Sequence, residues 1–279
     1  MKPTMILLAG AAMTVLSASL LAETNGEASE PVEQDVIRFD DAGERADPPS
    51  RPVEYTADGR EWVDLELVLA VDVSSSIDEF EARRQRDGHV AALADPDVIS
   101  AIQGGGYGRI AVLYLEWADG DFQRVVAPWT VIETQDDAHG FAATLATASF
   151  ISGRRTAIGG AINSSAELIA TNTYEGTRKV IDLSGDGPQN AGPSLPAARE
   201  QALAQDITIN GLPIVNQRQD PFRPSVSIDV EAYFEDYVIA GEGAFISPSR
   251  EHDDFVSALK RKLIMEIAGL VFDEPVARG

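Results

Sequence analysis

From Trp62 to about Ala268, apolar runs of strand length alternate with longer stretches of helical periodicity, and no other feature restricts the fold so strongly. Alternation of this kind predicts an α/β fold: a doubly wound, mostly parallel sheet of about six strands with helices on both faces, Rossmann-like in architecture. The expected strands cover 63–73, 109–117, 122–128, 179–183, 206–212 and 233–240, and the expected helices 78–94, 136–148, 156–170, 196–205 and 253–268. Between the second and third strands stands Ala118-Asp119-Gly120-Asp121, a hairpin signal, so one strand should run antiparallel at an edge. Within 156–170, Ile158, Ile162 and Ile169 share a face with Ala161 and Ser165, as a core-facing helix requires.

The residues before Trp62 read differently. Lys2, an apolar run from Met5 to about Leu16, and small residues ending near Ala22 form the pattern of a secretory signal peptide, residues 1–22, with an uncleaved anchor helix as the alternative. Residues 23–61 are rich in Glu, Asp, Pro and Gly and poor in large apolar side chains, the composition of an acidic flexible arm or linker. The globular domain is then 62–279, in a protein expected to be secreted or periplasmic, with no membrane span once the signal is removed. The chain has no cysteine, which excludes disulfides and thiolate metal sites. Its formal net charge of -23 disfavours nucleic acid and anionic lipid as partners and suits cations or basic ligands.

Chemistry gathers where strands of such a sheet should end. The stretch Glu66-Leu-Val-Leu-Ala-Val-Asp72-Val-Ser74-Ser-Ser76 carries a buried-strand pattern straight into a carboxylate and hydroxyls. In Val180-Ile-Asp-Leu-Ser-Gly-Asp186-Gly a second apolar strand ends in a glycine-flanked aspartate, and Thr156 follows a Gly-containing loop in Ser152-Gly-Arg-Arg-Thr156. Parallel strands put these loops on one carboxyl rim, where doubly wound sheets bind ligands. Two carboxylates and three hydroxyls form an all-oxygen set suited to a hard divalent cation, Mg²⁺ or else Mn²⁺ or Ca²⁺. Taken singly, Ser76 and Thr156 also fit helix caps, and Asp186-Gly187 a plain turn.

These segments resemble the von Willebrand factor type A domains, whose metal-ion-dependent adhesion site is Asp-x-Ser-x-Ser with a distant Thr and a distant Asp. Asp72, Ser74 and Ser76 match the first part, Thr156 the second and Asp186 the third, over a resemblance spanning about residues 62 to 270. The blocks Ile209-Asn-Gly-Leu-Pro-Ile214 and Val238-Ile-Ala-Gly-Glu-Gly-Ala-Phe245 are similar to a secreted bacterial branch of that fold whose function is uncharacterised. The resemblance implies that Ser74, Ser76 and Thr156 ligate the metal directly, that Asp72 and Asp186 act through water and hydrogen bonds, and that a partner's acidic residue fills the open position. Asp78 and Glu79 do not cleanly match the acidic pair of a neighbouring regulatory calcium site, so a second metal is not expected.

Arg154 and Arg155 stand beside Thr156, where they could grip an acidic ligand, and Asp182 and Asn190 are candidates for orienting the site from behind. His89, His139 and His252 lack metal-ligand spacing and are expected at the surface. No Gly-x-Ser-x-Gly elbow supplies a nucleophile, so catalysis is not expected. A metal-dependent phosphatase-like hydrolase is the rival reading, but that chemistry wants Asp-x-Asp and Ser74 holds the second position. A structural envelope protein with a cation stapling its loops is the other alternative. The favoured expectation is a metal-dependent protein-binding module that captures an acidic residue of a partner, with its oligomeric state left open.

Overall fold

Leu65, Leu67, Leu69 and Val71 lie in one hydrophobic cluster and Val68 and Ala70 in another, so alternate side chains of a single strand feed two cores. That strand is β2 (Leu65–Asp72), in which every residue is buried. The structure is a computed structural model and describes residues 51–77, 79–215, 229–249 and 255–269. The expected signal peptide and most of the expected acidic arm lie outside these residues.

The main sheet adds β3 (Ile110–Trp117), β4 (Gln123–Ile132), β6 (Lys179–Gly185) and β7 (Ile207–Pro213), in the order β4-β3-β2-β6-β7. All pairings are parallel except β3 with β4, which places the antiparallel strand at an edge as the Asp-Gly hairpin signal requires. Two short strands, β1 (Glu61–Val63) and β5 (Tyr174–Gly176), pair in parallel apart from it.

One core is closed by α1 (Glu79–Leu93), α2 (Pro96–Gln103), α3 (Gln135–Thr147) and α7 (Phe255–Ala268), and the other by α4 (Ile158–Ala170) and α5 (Leu195–Leu203). Helix starts follow local chemistry. Asp95 caps α2 with Pro96 in its first turn, Thr134 and Asp137 form a reciprocal capping box on α3, and the Ser194 hydroxyl accepts from Ala197 N–H on α5. Helix α2 was not among the expected elements, although Asp95-Pro96 and Gly104 punctuate it.

The strand expected at 233–240 is instead helical: α6 (Val230–Tyr233) runs into a π-type turn, Phe234–Val238. Phe234 and Val238, four residues apart, are both fully buried, which is helical spacing. Gly211 on β7 makes room for them, since a Cβ there would stand 2.7 Å from Phe234 Cδ1. Of the expected strand, Ala240 makes a strand-like pairing with the sheet, an isolated antiparallel bridge to Ile209.

Residues 51–61, which composition assigned to the arm, contact the domain. The Arg51 guanidinium donates to the Gly105, Gly106 and Gln103 carbonyls at 2.5, 2.7 and 3.2 Å, and Arg109 Nη2 donates to Arg51 O at 2.6 Å. His89 is also not at the surface as expected. It is buried, with Nδ1 2.7 Å from Gln85 O and its ring edge-on to Tyr114.

An ion cluster lies inside the first core. Lys262 on α7, 0% exposed, pairs with Asp182 Oδ1 of β6 at 2.7 Å and with Glu266, whose Oε1 also accepts from Asn210 Nδ2 at 2.9 Å. Burial opposes the Lys262 charge, but Asp182 and Glu266 outweigh it and hold the ammonium pKa above its ordinary value. Removing one member of a buried pair strands the others, at about 3–5 kcal/mol. Lys262→Met should therefore cost several kcal/mol in urea denaturation, and a loss no larger than a surface substitution's would contradict the cluster's role. Burial first, and Asp182 second, push the Glu266 carboxyl from 4.5 up to about 7. Its pKa is raised in the fold, so its contribution is full below about 4.5 and is lost as pH rises to about 7. The stability of the wild type relative to Glu266→Gln should fall across that window, and a flat difference would count against it.

Candidate metal centre

After β2 the chain turns to α1 on one face of the sheet, whereas after β6 it turns to α5 on the other. These neighbouring strands therefore leave a crevice at their carboxyl ends. Asp72 closes β2 on the Val68 and Ala70 side of the strand. Val73 N–H still pairs with Trp117 O at 2.9 Å, after which the backbone turns: Ser74 N–H donates to Asp72 Oδ1 at 2.7 Å and Ile77 N–H to Ser74 O at 2.9 Å. In this turn Ser74 Oγ and Ser76 Oγ lie 3.1 Å apart, and Ser76 Oγ donates to Asp186 Oδ1 at 2.8 Å. Asp72, Ser74, Ser76 and Asp186 thus form one contiguous oxygen cluster. Ser76, which also fitted a capping box, turns its hydroxyl across the crevice.

Asp72 is 0% exposed, and its Oδ2 has no hydrogen-bond partner among the described residues. Burial first, then the Asp186 charge, push its carboxyl up to about 8, against the pull of the Ser74 donors. An unsatisfied buried carboxylate oxygen is costly, and a nearby cation would remove that cost. Two carboxylates and neutral hydroxyls fit a hard divalent ion by donor chemistry. Among the described residues no three acidic or histidine side chains converge on a common point, so hydroxyls must supply the rest of any such site.

Thr156 is buried on the loop before α4 and is held there by Asn190, without a contact to the Asp72, Ser74, Ser76 and Asp186 oxygens among the described residues. Its N–H donates to Asn190 Oδ1 at 3.0 Å, and its carbonyl accepts from Asn190 N–H at 2.9 Å and Ala191 N–H at 3.2 Å. Asn190 Nδ2 stands 3.4 Å from Thr156 Oγ1. The helix-cap reading of Thr156 fails, because Ala157 occupies the cap position of α4 and no side chain caps it. Gly192 permits the approach of the 186–192 loop: it takes φ +80°, and a Cβ there would lie 2.6 Å from Ala157 Cβ.

The loop holding Arg154 and Arg155 is pinned beside the cluster. Gly153 N–H donates to Val73 O at 3.0 Å, Arg154 N–H to Asp119 Oδ2 at 2.7 Å, and Ser75 Oγ to Arg154 O at 2.9 Å. Sequence reasoning missed Asp119 and Ser75 as loop anchors, since Asp119 read as a hairpin residue and Ser75 as the spacer of the motif. Asp182, a candidate for orienting the site, faces away from it and pairs with Lys262 in the first core. Asn190, in contrast, does contact a candidate ligand.

The layout is that of a von Willebrand factor type A fold, and solved structures of that class share it. Proximal thread matrix protein 1 from the mussel byssus, with a zinc-occupied MIDAS motif, aligns with TM-score 0.53 at 14% identity over 78% of this chain and 50% of its own. The pilus adhesin SpaC from Lactobacillus rhamnosus GG aligns with TM-score 0.53 at 14% identity over 74% and 30%. A von Willebrand factor type A protein from Catenulispora acidiphila gives 0.50 at 12% over 74% and 43%. The chain thus spans half or less of the length of these relatives. At the sequence level it belongs to the family described as "protein of unknown function (DUF1194)", which it matches over residues 62–271. No curated protein matches it.

If Asn190 fixes Thr156, Asn190→Ala should accelerate amide exchange at Thr156, which loses its acceptor, and leave the β2 amides protected. Unchanged exchange at Thr156 would show that the loop is held by other means.

Proposed function

We propose that the protein is an exported, metal-dependent protein-binding module in which Asp72, Ser74, Ser76, Thr156 and Asp186 hold one divalent cation, Mg²⁺ or Mn²⁺ in preference, and the cation captures an acidic residue of a partner. The observation that carries the reading is the buried Asp72 Oδ2, which has no hydrogen-bond partner among the described residues, on a carboxyl whose Oδ1 accepts from Ser74 N–H beside the line of oxygens from Ser74 through Ser76 to Asp186. A carboxyl so placed is held protonated near neutral pH by its burial, and a bound cation would stabilise its ionised form instead.

The charge balance points outward. Two carboxylates offset one divalent ion, and hydroxyl ligands add no charge, so an ion held chiefly by hydroxyls retains affinity for an external carboxylate. A binding role is also favoured over phosphoryl chemistry by Ser74, which stands where an Asp-x-Asp enzyme carries its second carboxylate. Adhesion and matrix proteins among the structural relatives fit the same reading. Export rests on the Lys2-apolar-Ala22 pattern, and an intact mass of exported protein that retains Met1 would refute it.

Calorimetry on the purified protein should show uptake of about one Mg²⁺ or Mn²⁺ per chain, abolished by Asp72→Ala. Equal uptake by the variant would mean diffuse binding to the acidic surface. Thr156→Ala should weaken capture of a partner recovered from envelope extract, as EDTA should, while costing about 1 kcal/mol of stability, the scale of one side-chain hydrogen bond, since the Thr156 backbone bonds to Asn190 and Ala191 are kept. If wild type, Thr156→Ala and wild type in EDTA retain the partner equally, the site is a loop staple.

A further inference from the structure

Beside the cluster, Arg154 and Arg155 are exposed, and neither guanidinium has a hydrogen bond, ion pair or ring contact among the described residues. In a chain of net charge -23, arginines are readily paired, and Arg60, Arg86, Arg109 and Arg124 each reach carboxylates. The backbone carrying the free pair is nevertheless fixed at three points. Gly153 N–H is held by Val73 O, Arg154 N–H by Asp119 Oδ2, and Arg154 O by Ser75 Oγ. Gly153 also packs too closely for any side chain, since a Cβ would lie 2.2 Å from Ala118 Cβ. Asp119 meets this loop through the Arg154 backbone N–H, and the two exposed arginines stand on the rim next to Thr156.

From this placement we infer a second recognition element: Arg154 and Arg155 bind a further carboxylate of the partner, so the partner segment is acidic at two nearby positions, one for the cation and one for the arginine pair. The inference rests on the metal-binding reading above and narrows its partner to an acidic protein segment. The physical reason is complementarity. The overall field of the chain repels an acidic segment, and an arginine pair on a pinned backbone reverses that field locally, with only the side chains left to order on binding. A single carboxylate on the ion would leave both arginines unused.

The probes are fluorescein-labelled Gly-Ser peptides carrying one Glu, two Glu two residues apart, or Glu followed by Lys at that spacing. Binding is read by fluorescence anisotropy up to millimolar protein, with Mg²⁺ and in EDTA. On the wild type the second Glu should tighten binding about fivefold, the scale of an exposed but well-oriented ion pair. The Arg154→Ala/Arg155→Ala double variant should lose that preference while its Mg²⁺ uptake stays unchanged, and Arg155→Glu should prefer the Glu-Lys peptide. Equal affinity for one-Glu and two-Glu peptides, a preference that survives the double variant, or no peptide binding by protein that takes up Mg²⁺ would each overturn the inference. Tighter binding of an oligogalacturonate, a carbohydrate polyanion, would overturn the assignment to a protein segment. Failure of the metal reading looks different: the two-Glu preference persists in EDTA, or Mg²⁺ uptake is absent.

Discussion

Everything functional in this fold depends on a strand that cannot move. β2 is hydrogen bonded along both edges, to β3 and β6, and is covered on both faces by hydrophobic clusters. Burying a Leu or Val side chain contributes about 1.5–3 kcal/mol each, and the strand supplies Leu65, Leu67, Val68, Leu69 and Val71 in succession. The consequence appears at its carboxyl end, where the same burial that stabilises the strand leaves Asp72 fully buried and its Oδ2 without a hydrogen-bond partner among the described residues. The carboxylate is held where an unpaired charge is costly, next to a second one on Asp186. The loops around it are shaped by that tension: the Asp72 side chain ties the Ser74 backbone, and the serine hydroxyls line up toward Asp186.

The remaining loops are fitted to this end of the sheet by backbone contacts. Asn190 holds Thr156 from the β6 side, while Asp119 and Ser75 hold Arg154 from the β3 and β2 sides. Glycines stand where two loops approach, at Gly153 against Ala118 and at Gly192 against Ala157. These neighbours determine where Thr156 and the arginine pair stand relative to the cluster without belonging to it.

Much of this was legible in the sequence because its signals are local or periodic. The buried run 65–72, the Asp-Gly hairpin and the Ile158, Ile162 and Ile169 face each correspond to an observed element. The convergence of Asp72, Ser74, Ser76 and Asp186 followed from strand direction alone, since parallel strands place their carboxyl ends on one rim. The failures share a cause: they depended on contacts between distant residues. Residues 233–240 have strand-like composition, but a glycine on β7 opens a slot that Phe234 fills only from a helix. Asp182 was a candidate for orienting the site from within its strand, yet it pairs in register with Leu69, whose side chain lies in the first core, and meets Lys262 of α7 there. His89 and Lys262 were unremarkable polar residues in sequence, and their burial is decided by packing partners that no spacing rule encodes.

The proposed cation site at the buried Asp72 and its neighbouring hydroxyls is open to direct observation. The most direct test is a crystal of the protein grown in Mn²⁺ and measured at the manganese edge. One strong anomalous peak is expected among Asp72, Ser74, Ser76, Thr156 and Asp186. A map with manganese only at surface carboxylates, and a protonated Asp72 left in a closed cluster, would contradict it.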